Sequence, residues 1–328
     1  MAADTAKVEN SFAKRLRNLL FSQEGILFII LVLVIVVLSG RNANFLSAAN
    51  LLNQGRLMSE VGLVALPMTY IIITAGIDLS VGSILGLSAI LLGVFWKNLG
   101  MPLELAIVLA LVVGTVAGFV NGLFIVKLNV PPLIMTLATL AFYRGLAQGI
   151  SEAKSVTGYP EWFYIFGQKS IMGLPTQLWF FIIATIISII ILRMTTLGRY
   201  LYAIGNNPVG ARFSGLPVGR TLMIIYGYSG FMSALAAIIF VSRVTTTRSD
   251  MGTGLELDVI AAVVLGGTSI FGGKGGIVGT LIGLVLIQLL KNGLALSGIT
   301  SDATTIVIGI VLILAILVNN FIQRRRDS

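Results

Sequence analysis

The residues of this chain that could touch a small solute are hydroxyls, amides and two charges set in apolar sequence. Thr136, Thr139 and Tyr143 fall at i, i+3 and i+7, which is one face of a helix, and Arg144 stands beside them. Tyr226, Ser229 and Ser233 repeat that spacing in a second apolar run, and Asn121 adds an amide to a third. Such a stripe can hydrogen-bond a polyol in passing, and it can equally tie one helix to another. Arg144 admits two readings. A cation inside a span is expensive and usually functional, while a place near the end of the span also lets the side chain snorkel. Asp78 and Ser80 lie in the stretch Gly76-Ile77-Asp78-Leu79-Ser80. Either would cap the helix that follows and present its N-terminus. Broken helices with polar breaks line transport paths, and capping alone also accounts for Asp78.

Covalent chemistry has little to work with. The chain contains no Cys and no His, so it lacks thiolate metal ligands and the commonest general base. No catalytic set and no metal set can be drawn from it. The stretch LGGTSIFGGKGG, Leu265 to Gly276, superficially suggests phosphate binding. Lys274 is followed by Gly275 rather than Ser or Thr, and Thr268 stands where the first Gly would be, so it is no P-loop. A flexible turn between two helices is the expectation there.

The elements that must position these residues are membrane spans. Of 328 residues, 56% are apolar and only 11% charged, and the mean hydropathy is +0.99. A soluble domain carries about a quarter charged residues. An all-α polytopic membrane bundle of about ten helices, some short or broken, is therefore predicted. The spans read Ile26–Leu38, Val61–Ala75, Ser80–Phe95, Leu103–Val126, Pro132–Gly149, Gln177–Leu192, Thr221–Val241, Leu257–Ile270, Ile277–Leu290 and Thr304–Asn319. Pro67 is expected to interrupt the second, and Arg41 to Glu60 is expected at the interface. The basic head, first apolar run and small residues Ser47, Ala48 and Ala49 mimic a cleaved signal peptide. The later spans need that first run for consistent topology.

Alternating the spans from a cytoplasmic N-terminus puts thirteen of the 22 Lys and Arg residues inside and eight outside, with Arg144 within a span. Lys7, Lys14, Arg15, Arg17 and the terminal Arg324-Arg325-Arg326 fall inside, as the positive-inside rule requires. This divides the chain into a cytoplasmic segment 1–25, a transmembrane domain 26–320 and a basic cytoplasmic tail 321–328. The net charge of +9 is thus a matter of topology, and no nucleic-acid partner is expected. The outer loop Ile150 to Thr176 carries Glu152, Glu161, Tyr159, Trp162 and Tyr164, the composition of an interfacial aromatic belt. Glycines at four-residue spacing, Gly114, Gly118 and Gly122, then Gly275, Gly279 and Gly283, then Gly82 and Gly86, are expected to bring helices close.

Between two apolar blocks lies a basic island, 193–220, RMTTLGRYLYAIGNNPVGARFSGLPVGR, with four Arg and no acidic residue. Its signals predict one short helix, Pro208–Ser214. Asn207 is the cap, Pro208 takes the first helical position, Gly215 makes the left-handed stop, and Pro217 lies just beyond. The helix would dock a soluble motor, or would simply pack on its own helix ends.

Four separated stretches, GIDLSVGS (76–83), NGLFIVKLNVPPLIMTLATLAFYRGLA (121–147), GRYLYAIGNNPVGARFSG (198–215) and LDVIAAVVLGGTSIFGGKGGIVGT (257–280), resemble the ribose/monosaccharide-type permeases of bacterial ABC importers. The resemblance runs from about Leu51 to Asn319. It implies a transport subunit of the bacterial inner membrane rather than an enzyme. It also implies a second permease subunit, a cytoplasmic ABC ATPase that binds ATP and Mg, and a periplasmic or lipid-anchored sugar-binding protein. In that family the loop matching Gly205–Gly215 meets the ATPase, which makes Asn206, Asn207, Pro208, Ala211, Arg212 and Gly215 the coupling residues. Asp78, Ser80, Asn121, Thr136, Thr139, Tyr143, Arg144, Tyr226 and Ser229 are then the substrate-path residues. The rival reading is an ion-coupled secondary transporter, for which only Asp78 and Arg144 could serve as intramembrane charges.

Overall fold

A computed structural model describes residues 23–300, 302–310 and 313. The basic residues before Gln23, the Arg324-Arg325-Arg326 tail and the end of the Thr304–Asn319 span lie outside them. Helices α1 (Gln23–Arg41), α2 (Ala48–Ile73), α3 (Val81–Gly93, extended by a π turn Val94–Asn98), α4 (Leu103–Lys127) and α5 (Pro132–Ser151) follow in order. After a folded loop come α6 (Thr176–Met194), α7 (Thr196–Asn206), α8 (Pro208–Phe213), α9 (Val218–Val244), α10 (Leu255–Leu265) and α11 (Ile277–Leu296). Residues 302–310 are again helical. The only strands among the described residues are two-residue pieces. β1 (Val156–Thr157) pairs with β4 (Thr246–Thr247), and β2 (Ser170–Ile171) pairs with β3 (Leu174–Pro175), both antiparallel.

Seven of the described helices, α2, α3 with its π turn, α4, α5, α6, α9 and α11, are long and apolar enough to cross a membrane. That is fewer than ten, for two visible reasons. Among the described residues, the apolar helix within α1, Leu27–Arg41, is shorter than the other seven. The expected span Leu257–Ile270 is an eleven-residue helix, α10, which ends at Leu265 because Gly266 and Gly267 turn the chain.

The bundle is built around α2. From Gly62 to Ile73 every side of this helix is buried, as expected of a helix apolar all round. It packs against α6, α9, α10 and α11. Two expectations fail here. Pro67 does not interrupt the helix, which runs on for 26 residues; close packing on every side of a membrane helix tolerates the lost hydrogen bond. Nor is Arg41–Glu60 one polar segment between helices. Ser47 caps α2, its hydroxyl accepting from Asn50 N at 3.3 Å, so Ala48–Glu60 is the helix's first half. Its polar residues find partners on other helices. Asn50 and Asn292 exchange amide hydrogen bonds at 2.8 and 3.0 Å, Gln288 donates to Gln54 at 2.8 Å, and Arg243 forks onto Glu60 at 2.6 and 3.0 Å.

The outer helices bury one stripe each. On α4 this is Ala106, Ala110, Gly114, Ala117, Gly118, Asn121 and Gly122, and small residues let its backbone lie against α9. A Cβ on Gly118 would run into the Tyr226 carbonyl, and one on Gly230 into that of Gly114. Val108, Val112 and Val116, on the far side of α4, and Leu133, Ile134 and Leu137 on α5 are exposed. Gly279 and Gly283 of α11 likewise meet Gly266 and Ala262, but Gly275 lies before the helix, in the turn. The aromatic loop 152–175 turns part of its expected belt inward. Tyr159 and Phe163 are buried, stacked 5.1 Å apart, with Trp96 4.5 Å from Tyr159, and Ser242 donates to the Phe163 carbonyl at 2.6 Å. Only Trp162 keeps a substantial face outward.

Candidate functional site

The chain leaves α2 at Ile73, turns at Ala75 (φ 61°), and runs back into the bundle before α3 begins. That crossover carries Asp78, which is wholly buried. Its Oδ1 accepts from the Ser80 hydroxyl at 2.6 Å and the Ser80 N–H at 3.0 Å, and its Oδ2 accepts from the Ser229 hydroxyl at 2.9 Å. Asn121 donates to the Ser80 oxygen at 2.8 Å. Thr136 donates to the Ile77 carbonyl at 3.0 Å. The crossover, α4, α5 and α9 thus meet in one polar knot. Ser80 is the N-cap residue of α3, yet its hydroxyl makes no capping bond and is spent on Asp78. Three donors thus reach the two oxygens of Asp78, as buried polar groups require.

The other stripe residues divide. Thr139 donates to Met135 O within its own helix, Ser233 to Ser229 O, and Tyr143 crosses to Ala117 O at 2.9 Å. These are intrahelical or interhelical ties. Tyr226 is fully buried beside Gly76, and its hydroxyl has no hydrogen-bond partner among the described residues. In this conformation the knot is sealed.

Arg144 does not snorkel. Its Nη1 donates to the carbonyls of Ser249 at 2.6 Å and Met251 at 2.7 Å, and its Nη2 donates to that of Gly82 at 3.2 Å. It pins the segment 245–254 to the first turn of α3. Gly82 and Gly86 serve the same contact, because Cβ atoms there would collide with the Gly252 and Met251 carbonyls. These glycines seat a loop rather than a second helix. The segment descends from the end of α9 into the bundle, and α10 carries the chain on from there.

At the other end, the basic island folds as two helices. Asn207 caps α8, its Oδ1 accepting from Gly210 N at 2.8 Å, and Gly215 takes φ 78° just past the helix. Ala211 is buried beneath, while Arg212, Val209 and Phe213 point outward, Phe213 with 90% of its surface exposed. The sequence reading missed α7, although Leu197, Leu201 and Ile204 recur at helical spacing between polar residues. Helix α7 buries Leu201 in the main core, Ile204 in a small cluster with Ala211 and Val218, and Gly205 against the end of α2 and the turn before α11. There Gly273 N donates to Ile73 O at 2.9 Å, and Tyr202 OH donates to Gly275 O at 2.8 Å. A side chain on Gly205 would strike the Ile73 carbonyl. The turn before α11 is therefore pinned rather than flexible, and its left-handed Gly272 (φ 86°) and Gly273 (φ 74°) fit it between Gly205, Asn206 and Ala75. Arg193, Arg199, Arg212, Arg220 and Lys274 are all exposed at this end.

Residues 47–316 match the family described as the branched-chain amino acid transport system / permease component. The chain is 42% identical over 294 residues to the ribose import permease protein RbsC of Bacillus subtilis, covering 89% of this chain and 91% of that one. It is 36% identical over 303 residues to RbsC of Haemophilus influenzae, covering 91% and 94%. It is 37% identical over 284 residues to the autoinducer 2 import system permease protein LsrD of Yersinia enterocolitica, covering 82% and 86%. No solved structure matches. This multi-pass helix bundle, aligned nearly end to end with import permeases, belongs to this family of transport-system permease components.

Proposed function

We propose that the chain is the membrane permease subunit of an ATP-driven importer for a monosaccharide or similar small polyol, working by alternating access in a bacterial inner membrane. The observation that carries this reading is its alignment over about nine-tenths of both chains with two ribose import permeases. The basic island and both termini face the cytoplasm. Ten crossings result if 245–254 and α10 together make one, and if α1 and the helix beginning at residue 302 make two more. A second permease subunit, an ABC ATPase holding ATP and Mg, and an extracytoplasmic sugar-binding protein complete the importer. Lipid covers the exposed apolar faces of α4, α5 and α6.

In this reading α8 is the docking helix. Arg212 and Phe213 meet the ATPase, while Asn206, Asn207, Pro208, Ala211 and Gly215 hold the helix in shape. Movement of α8 passes through α7 at Gly205 to the end of α2, and from Ile73 into the Asp78 crossover. The knot of Asp78, Ser80, Asn121, Thr136 and Ser229, with Thr139, Tyr143 and Tyr226 around it, belongs to the wall of the path. A sugar meets that wall only when these hydrogen bonds open. Arg144 positions the wall's neighbour, segment 245–254.

Proteoliposomes containing this chain, its ATPase and its binding protein test the reading. ATP-dependent uptake of labelled ribose with all ion gradients collapsed is expected. Uptake driven by an ion gradient through this chain alone would instead establish a secondary transporter.

A further inference from the structure

A cavity of about 540 Å³ opens in the half of the bundle away from the basic island, within the roughly 300–1,000 Å³ range of small-ligand sites. It lies between α2, the end of α9, the pinned segment 245–254, α10 and α11. None of the path residues drawn from the sequence lines it. We propose that this cavity is where the imported solute is first held by the permease, and that it is built for a neutral, hydroxyl-rich molecule. The inference rests on the import-permease reading and adds the site.

The charges on the cavity wall are already balanced. Glu60, Asp250 and Asp258 line it, and each carboxylate is paired. Glu60 is held by Arg243 at 2.6 Å from behind the wall, Asp258 by Lys291 at 2.5 Å, and Asp250 by Arg248. A cation or an anion entering here would compete with these pairs, at greatest cost at Glu60, whose buried carboxylate would lose its partner. A polyol need not. Its hydroxyls donate to carboxylate lone pairs left over by the ion pairs and accept from the remaining ammonium and amide protons. Gln288, also on the wall, is held by its bond to Gln54 and presents its other polar positions. Val61, Phe240 and Val244 supply an apolar flank for the C–H face of a sugar ring. The wall is also set in place, since the carbonyls of Ser249 and Met251 are fixed by Arg144. By contrast the interior knot has no opening, so a first contact there is excluded in this conformation.

Covalent plugging of the folded transporter tests the site, which is practical because the chain has no Cys of its own. Thr253→Cys and Val61→Cys, two wall positions on different elements, are expressed singly with the complete importer in intact cells. Uptake of labelled ribose is measured before and after a bulky membrane-impermeant maleimide. Met172→Cys, on the exposed β2–β3 hairpin outside the cavity, is the control. Modification is expected to lower uptake about tenfold for both wall variants and to leave the Met172→Cys protein unaffected. Full modification at either wall position with unchanged uptake overturns the proposal. Equal inhibition at Met172 also overturns it, because the reagent is then hindering the outer surface rather than the cavity. Cells that take up no sugar even without reagent point to a different failure, that of the importer reading itself, and the proposed ligand class falls with it.

Discussion

The segments 193–220 and 245–265 are both breaks between long helices, and they are held in opposite ways. The first is an external platform. Its helices α7 and α8 touch the bundle through Gly205, Leu201 and Ala211 and present Val209, Arg212 and Phe213 to the surroundings. The second is an internal wall, drawn into the bundle by two carbonyl bonds from Arg144, which also bonds the Gly82 carbonyl of α3, and by the close approach of Gly82 and Gly252. The contrast shows two ways of using irregular backbone in a membrane protein. At the surface a helix cap and a glycine stop suffice, because water satisfies the remaining groups. Inside, every carbonyl must be met by protein, and a guanidinium with five fixed donors meets several at once.

The largest effect should come from removing that guanidinium. Arg144→Gln frees at least two part-buried carbonyls from charge-assisted bonds, a loss of about 2–4 kcal/mol. Membrane abundance, read by quantitative immunoblot, should fall with uptake. Normal abundance with lost uptake would move Arg144 from the frame to the path. A smaller loss is expected from Gly215→Val on the platform, where a left-handed backbone with a β-branched side chain costs roughly 1–2 kcal/mol. The bundle should stay in the membrane while ATPase co-purification weakens. Asn207→Ala removes one capping bond, about 1 kcal/mol, and should reduce co-purification less than Gly215→Val does. Phe213→Glu should leave stability within about 0.5 kcal/mol, because the side chain touches almost nothing, and yet abolish ATPase association. If Phe213→Glu and Arg212→Glu both bind ATPase normally, α8 is not the docking surface.

How well each region can be read from sequence follows from the range of its contacts. Helix α8 is defined by neighbours within four residues, Asn207 to Gly210 and Arg212 to Gly215, so its boundaries stand in the sequence. The small-residue stripe of α4 is periodic and equally local to read. The first half of α2 is different. Asn50, Gln54 and Glu60 look interfacial because their partners, Asn292, Gln288 and Arg243, lie some two hundred residues away. Helix α7 was hidden by its polar composition, although its apolar spacing is helical. Singling out Asp78, Ser80, Asn121 and Ser229 needed only their polarity in apolar surroundings. That they meet on one carboxylate depends on how the crossover re-enters the bundle, and no spacing encodes that.

The central claim is that the two ends face opposite sides of the membrane and do different work. Phe213 and Met172 mark those ends and are almost equally exposed, at 90% and 88%. Single Phe213→Cys and Met172→Cys variants of this Cys-free chain can therefore be labelled with one impermeant maleimide under the same conditions. In intact spheroplasts Met172→Cys should react at once and Phe213→Cys only after the membrane is permeabilised. Labelling of Phe213→Cys in sealed spheroplasts, with Met172→Cys protected, would invert the molecule and contradict the account.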